Sequence, residues 1–334
     1  MKAAQIAKAG GDFEIVDRQI PNPGAGEVRI KVQACGVCHS DVFVKEGLWP
    51  GLQYPRVPGH EVAGIIDELG AGVIGWTKGQ RIGVGWHGGQ DNTCIECRRG
   101  RFLYCRNPKV AGFSYDGGYQ QYMVAPIEAL AAIPETLSDA EAAPLLCAGV
   151  TTFNALRHSG ASPGSLVAVQ GVGGLGHLGI QFASKFGYKV AAIGRGPENA
   201  SLAKKLGAVV YIDAQSTNAA QELQKLGGAQ AILATAPSSK AMSELIDGLA
   251  PSGKFVVVGI STDPIEVTPL QLIVGEHSLA GSAVGTPTDS EDTMNFAELT
   301  GVRPMIETYT LEKAAEAYAR MMSGKAQFRV VLTM

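Results

Sequence analysis

The sequence predicts an α/β protein in which a β-rich, irregular first region is followed by a parallel sheet covered by helices. Three observations carry this. The first 150 residues hold short alternating runs such as Glu27-Val28-Arg29-Ile30-Lys31-Val32, then a glycine-rich loop region to about Gly118, with little helical periodicity. From Leu166 onward apolar strand candidates alternate with helical stretches, the order that builds parallel sheets. Glycine is abundant, at 43 of 334 residues, and falls largely in short turns between apolar runs, as tight connections require.

Taken in order, the strand candidates of the second region are 166–170, 190–193, 209–212, 231–235 and 255–259. Helices are expected over 177–186 and 199–206, each stopped by a glycine, Gly187 and Gly207. One further strand is expected over 278–286. Thr288-Asp289-Ser290-Glu291 then reads as a helix start with a hydroxyl cap and an acidic first turn, and 328–332 as a final strand. No internal repeat or low-complexity tract interrupts this order.

Hydrophobic residues at 46% suffice for two cores, so a globular protein of two domains is expected. The net charge of −3, from 28 basic and 31 acidic residues without a basic block, offers no face to nucleic acid or an anionic membrane. Met1-Lys2-Ala3-Ala4-Gln5 lacks the layout of a secretion signal, and no apolar run reaches the roughly 18 residues of a membrane span, so a cytoplasmic location is expected. Six cysteines are too sparse for a disulfide scaffold, and four of them sit in short clusters, which favours metal ligation.

Gly171-Val172-Gly173-Gly174-Leu175-Gly176 matches G-x-G-x-x-G between a strand and a helix, the setting in which such a loop binds a dinucleotide. The glycines permit a tight turn and close approach of backbone to a pyrophosphate, which the helix N-terminus attracts. At the end of the second strand Gly194-Arg195-Gly196 offers no carboxylate to a ribose and one guanidinium to a 2′-phosphate, favouring NADP(H) over NAD(H). The plainer reading of Arg195 is a solvated loop arginine.

Asp91, Cys94, Cys97 and Cys105 place a carboxylate and three thiols in one polar loop, the closed tetrahedral set of a structural zinc. Three cysteines within a dozen residues are hard to explain as packing. Asp91 is the harder donor and the weaker ligand. Cys38, His60 and Cys147 are scattered, and spacing does not unite them. Singly, Cys147 reads as a small buried hydrophobe and His60 as a satisfied histidine.

Five strings, Gly36-Val37-Cys38-His39-Ser40-Asp41, Gly59-His60-Glu61, the Asp91–Cys105 loop, Leu146 to Thr152 and Gly171–Gly176, occur in the order and spacing of the zinc-containing medium-chain dehydrogenases. The chain resembles that family over essentially its whole length, most closely bacterial alcohol dehydrogenases and broad-range aldehyde reductases related to cinnamyl alcohol dehydrogenases. The resemblance implies a β-rich GroES-like catalytic domain over 1–152 and 287–334 and a Rossmann domain, a doubly wound parallel sheet, over 153–286. It implies that Cys38, His60 and Cys147 ligate a catalytic Zn2+ with Glu61 behind it, that Asp41 orients His60, and that Ser40 starts the proton relay. His39 and Arg329 match contacts to the cofactor pyrophosphate, and Thr151 and Leu175 match positions flanking the nicotinamide. Two positions depart from the pattern: Asp91 stands where many members have cysteine, and Phe43 where a relay histidine is common.

Trp49 and Trp86 match positions lining the substrate pocket, with Tyr115 expected nearby; core packing is the competing explanation for both tryptophans. His87, His158, His177 and His277 read as structural or surface residues. The implied activity is reversible hydride transfer between NAD(P) and a primary, possibly aromatic, alcohol or aldehyde. A zinc polyol or sugar dehydrogenase, a zinc-independent quinone-reductase-like enzyme and a non-catalytic nucleotide-binding relative are the competing readings. A homodimer or homotetramer is expected, with 278–286 as a strand that pairs between subunits.

Overall fold

The computed structural model describes all 334 residues, which form two compact units, Met1–Val150 with Val284–Met334, and Thr151–Ala283. No helix is long and apolar enough to cross a membrane.

The first unit is built on a seven-stranded sheet in the order Ile306–Thr310, Arg329–Thr333, Glu27–Val37, Val62–Leu69, Arg81–Val84 and Leu130–Ala132, with Tyr122–Pro126 also paired to Glu27–Val37. Along Glu27–Val37 the apolar residues Val28, Ile30 and Val32 alternate into the core, as the sequence pattern requires. From Ala34 to Val37 every residue is buried, so the alternation that marks a half-exposed strand disappears although the strand continues. Its register positions the chemistry. Cys35 pairs with Val62 on one side, and Leu332 pairs with Cys35 on the other. The segments leaving these strands, Cys38 to Asp41, His60-Glu61 and Arg329, therefore meet at one end of the sheet.

The second unit is a six-stranded sheet in the order Val210–Asp213, Lys189–Gly194, Leu166–Gln170, Ala229–Ala234, Leu249–Val257 and Ser278–Gly281, parallel throughout. Numbered along the chain this is 3-2-1-4-5-6, the doubly wound order, whose switch point lies between Leu166–Gln170 and Ala229–Ala234. Helices cover the strands, so 167–169 and 190–193 are buried without alternation. The helix Gly176–Lys185 is followed by Gly187 at φ +84° and Ala200–Lys205 by Gly207 at φ +113°, the left-handed conformation a helix stop needs.

Three local expectations are corrected. The stretch to Gly118 contains the strands Val62–Leu69, Arg81–Val84 and His87–Gly89; glycine there serves close backbone approach between strands, as at Gly64. The strand expected over 278–286 ends at Gly281. The helix Pro287–Thr300 is capped by Thr286, which exchanges hydrogen bonds with Asp289 in a full capping box, and Thr288 lies inside the first turn because Pro287 supplies the first helical position.

Candidate active site and metal centres

In the first unit, ligand atoms of Cys38, His60, Glu61 and Cys147 lie within 4.8 Å of one another. Cys147 sits in a π-helical turn, Leu145–Gly149, directly after a helix ending in Pro144. Proline donates no backbone hydrogen bond, and the widened turn carries the Cys147 sulfur to 3.9 Å from that of Cys38. This sulfur–sulfur contact, aided by His60 and Arg329, holds Cys38 well below the usual thiol range in spite of burial; Cys147 is pushed correspondingly up. His60 and Glu61 are fully buried, and His60 Nε2 and Glu61 Oε2 have no hydrogen-bond partner. Burial disfavours a charged His60, yet Asp41 and Cys38 outweigh it and drive its pKa well up. Two thiols, an imidazole and unpartnered buried atoms thus converge on a place that demands positive charge, which fits a zinc ion.

Glu61 occupies space left by Gly36, where a Cβ would come within 1.9 Å of Glu61 Oε2. Its Oε1 forms a buried ion pair with Arg329, while burial still pushes its carboxyl up to about 7. Asp41 is fully buried at the start of the helix Asp41–Glu46. Its Oδ1 lies 3.3 Å from His60 Nδ1, off the line of a formed hydrogen bond, and its Oδ2 accepts from the Cys38 N–H at 2.9 Å and the Tyr119 hydroxyl at 2.8 Å. The hydroxyl of Ser40 makes no cap bond to this helix, and His39 is exposed beside it.

Aromatic rings wall one side of His60. Trp86 stands edge-on to it at 5.0 Å between centroids and Phe113 at 6.1 Å; Trp86 and Phe113 are 5.0 Å apart, and Trp49 contacts both at 5.8 and 5.3 Å. Phe43 extends the group at 6.3 Å from Trp49, with no titratable atom where a relay histidine would stand. Trp49 is 38% exposed, so core packing alone does not account for it. Phe113 carried no signal in the sequence, since it follows the irregular Lys109–Val110 strand without periodicity. Tyr115 is not part of these ring contacts: its hydroxyl donates to the Gly88 carbonyl at 3.0 Å, and it lines a cavity of about 330 Å³ with Arg18 and Asp116. His87 is buried against Gln90 at 2.8 Å, and His177 contacts the Gly173 carbonyl oxygen at 2.9 Å.

Asp91, Cys94, Cys97 and Cys105 form a second group of ligand atoms within 4.8 Å of one another. Backbone N–H groups of Asp91 and Asn107 point at the Cys105 sulfur at 3.3 and 3.4 Å, and that of Arg106 at the Cys94 sulfur at 3.5 Å, donors suited to thiolates. Asp91 Oδ1 accepts from Thr93 and Cys94 N–H groups, and Oδ2 from the Asn107 amide at 2.6 Å; with the Cys94 N–H the largest influence, its carboxyl lies far below the usual range. A carboxylate offers about four acceptor sites, so these bonds leave one for a metal.

In the second unit the glycine loop lies at the switch point of the sheet. Gly171 has φ +94°, and a Cβ there would meet Thr235 Oγ1 at 2.8 Å. At Gly176 a Cβ would come within 1.8 Å of the Gly171 carbonyl oxygen, so this glycine closes helix on strand. A Cβ at Gly173 would meet nothing within 4 Å, which leaves the backbone open to a pyrophosphate. Gly174 and Leu175 complete the loop, Leu175 at the N-cap of the helix Gly176–Lys185. Gly194 is packed under the Tyr211 ring, and Gly196 donates to Asp213 Oδ1 at 2.8 Å, so Arg195 is presented to solvent from a turn pinned on both sides. Neither Tyr211 nor Asp213 was legible as part of this corner, because the contact comes from the neighbouring strand. Thr151 begins this unit and is half-buried.

A doubly wound sheet with an open glycine loop, and two half-buried thiols around the buried His60 in the companion unit, define a dehydrogenase with places for zinc and a nicotinamide dinucleotide. The comparisons agree. Residues 24–135 match the alcohol dehydrogenase GroES-like domain and 174–303 the zinc-binding dehydrogenase domain. The chain is 44% identical to the alcohol dehydrogenase patD of Penicillium expansum, covering 100% of this chain and 97% of that one, and 37% identical to an alcohol dehydrogenase of Geobacillus stearothermophilus, covering 99% and 98%. A solved cinnamyl alcohol dehydrogenase from Sorghum bicolor superposes with a TM-score of 0.90 at 30% identity, covering 99% of this chain and 97% of that one. The chain belongs to the zinc-containing medium-chain alcohol dehydrogenase family. It is an oxidoreductase acting on small alcohols or aldehydes, and neither the polyol nor the zinc-independent reading is favoured by these relatives.

Proposed function

We propose that the chain is a zinc-dependent, NADPH-preferring reductase of aldehydes, aromatic ones included, working reversibly on the corresponding primary alcohols. The convergence of Cys38, His60 and Cys147 beside a wall of Trp49, Trp86 and Phe113 carries this reading. Cys38, His60 and Cys147 would hold a zinc ion, which would supply Lewis-acid polarisation of the substrate oxygen, and a nicotinamide bound at the glycine loop would supply or accept the hydride. The chain's residues do the rest. Ser40 passes the proton of the alcohol, its hydroxyl being free of capping duty; Asp41 fixes the ring of His60. The aromatic wall excludes water and favours flat or unbranched substrates. Glu61 neutralises Arg329 at the rear of the site. Within the second unit Gly171, Gly173 and Gly174 admit the pyrophosphate by their bare backbone, and Thr151 and Leu175 flank the nicotinamide. Asp91, Cys94, Cys97 and Cys105 hold a second, structural zinc.

Gly194-Arg195-Gly196 supports the preference for NADPH, since an exposed guanidinium on a pinned turn is placed to take a 2′-phosphate. Initial rates of benzaldehyde reduction with NADPH and with NADH test activity and preference together. Replacing Arg195 by Ala should lower kcat/KM for NADPH roughly 10- to 100-fold, the worth of a charge-assisted hydrogen bond, and leave that for NADH within about threefold. Equal losses with both cofactors would remove Arg195 from this role, and no rate on a zinc-replete panel of aldehydes would remove the substrate reading.

The cytoplasmic location and a dimer or tetramer belong to the same reading. Ser278–Gly281 is an edge strand, and the helix before it, Pro269–Gly275, exposes Leu270, Ile273 and Val274 at 68, 72 and 78%. Unpaired backbone beside an uncovered apolar helix face suits association with a second copy. Sedimentation of the wild type should give a dimer or larger, and the double substitution Ile273→Glu, Val274→Glu a monomer; a monomeric wild type would discard this surface as the interface.

A further inference from the structure

We propose that Tyr119 is a positioning residue for the His60 ligand, acting through Asp41. The inference rests on the reading of Cys38, His60 and Cys147 as the catalytic zinc site and adds a residue to its support.

The carboxylate of Asp41 has one oxygen facing His60 Nδ1 and one facing away, and the outward Oδ2 is held by two donors, the Cys38 N–H at 2.9 Å and the Tyr119 hydroxyl at 2.8 Å. All three side chains, Tyr119, Asp41 and His60, are fully buried, so no solvent competes for the carboxylate and its orientation is set by these donors alone. The Cys38 N–H fixes one direction; the Tyr119 hydroxyl fixes the rotation about the bond to the carboxyl carbon. Tyr119 is itself anchored. Its N–H donates to Pro58 at 3.0 Å and its carbonyl accepts from Ala4 at 2.8 Å, while Gly118 N–H donates to Gly59 at 3.0 Å. The ring lies against Gly59, where φ is +106° and a Cβ would fall 2.5 Å from it. One residue thus braces the backbone immediately before His60 and the carboxylate behind its ring. Burial raises the phenol well above its ordinary pKa, so it stays a donor.

The test compares Tyr119→Phe with Tyr115→Phe in the full-length, zinc-loaded protein. Each change removes one hydroxyl that makes one hydrogen bond and keeps the ring, but Tyr115 bonds the Gly88 carbonyl and not Asp41. Zinc is titrated out with a chromophoric chelator of known affinity, and the visible d–d bands of the cobalt-substituted proteins are recorded. Tyr119→Phe should weaken the zinc held by Cys38 roughly tenfold, the lower end of what outer supporting groups contribute, leave the loop zinc unchanged, and shift the cobalt bands. Tyr115→Phe should do none of these. In an Asp41→Asn background Tyr119→Phe should add less than about twofold, because the path through the carboxylate is gone. Unchanged affinity and spectrum in Tyr119→Phe would overturn the proposal, as would equal weakening of both zincs, equal effects of the two phenylalanine variants, or full additivity with Asp41→Asn. A Cys38→Ser protein that still bound both zincs would instead overturn the site assignment beneath it.

Discussion

On the proposed reading, Cys38→Ser should abolish turnover and lower bound zinc from two ions per chain to one, the two ligand clusters being separate. The expectation follows from what the sulfur does. Cys38 is the thiol whose pKa its neighbours lower, with the Cys147 sulfur 3.9 Å away and His60 beside it. A serine hydroxyl is a harder, far less acidic group and does not replace a thiolate on zinc. Outer supporting partners of a metal cost roughly 10- to 100-fold when removed, so loss of a direct ligand should exceed about 10³-fold in kcat/KM. The remaining zinc should be the one held by Asp91, Cys94, Cys97 and Cys105, whose backbone donors do not involve Cys38. Metal content by mass spectrometry and initial rates with NADPH check both halves. Wild-type turnover with two zincs retained would sink the assignment.

How much of this was legible in the sequence depended on whether a feature was local. The alternating strands and helices of the second unit, and the glycines that end two of its helices, were readable because helices on both faces bury a strand continuously and stop signals act within one turn. The clustered loop cysteines Cys94, Cys97 and Cys105 were readable for the same reason. Cys38, His60 and Cys147 were not readable by spacing. The strand register that joins Cys35 to Val62, and the π-turn that turns Cys147 inward, are tertiary facts, and only resemblance to a family brought the three together. Tyr119, Phe113, Tyr211 and Asp213 stayed hidden because each acts on a residue at least 15 positions away through a neighbouring segment. Thr288 has the local pattern of a cap, but Pro287 before it supplies the first helical position, so the cap falls on Thr286.

Two alanine substitutions three residues apart should give opposite results and decide whether the glycine loop binds the dinucleotide. At Gly176 a methyl group would sit 1.8 Å from the Gly171 carbonyl oxygen, a backbone atom that cannot swing away, so Gly176→Ala must push the helix Gly176–Lys185 off the strand before it. Its signature is a loss of stability of about 1–3 kcal/mol or more, the range for overpacking, with lost activity as a consequence. At Gly173 the same methyl meets no protein atom within 4 Å, and φ lies outside the left-handed region, so Gly173→Ala should leave the melting temperature within about 2 °C. The methyl would nevertheless stand where the backbone must meet a pyrophosphate, and NADPH affinity should fall on the order of 100-fold, equivalent to about 2.7 kcal/mol. Thermal unfolding and cofactor fluorescence titration separate the two variants. If Gly173→Ala bound NADPH as tightly as the wild type, the open backbone at that position would not be the pyrophosphate site, whatever Gly176→Ala did to the fold.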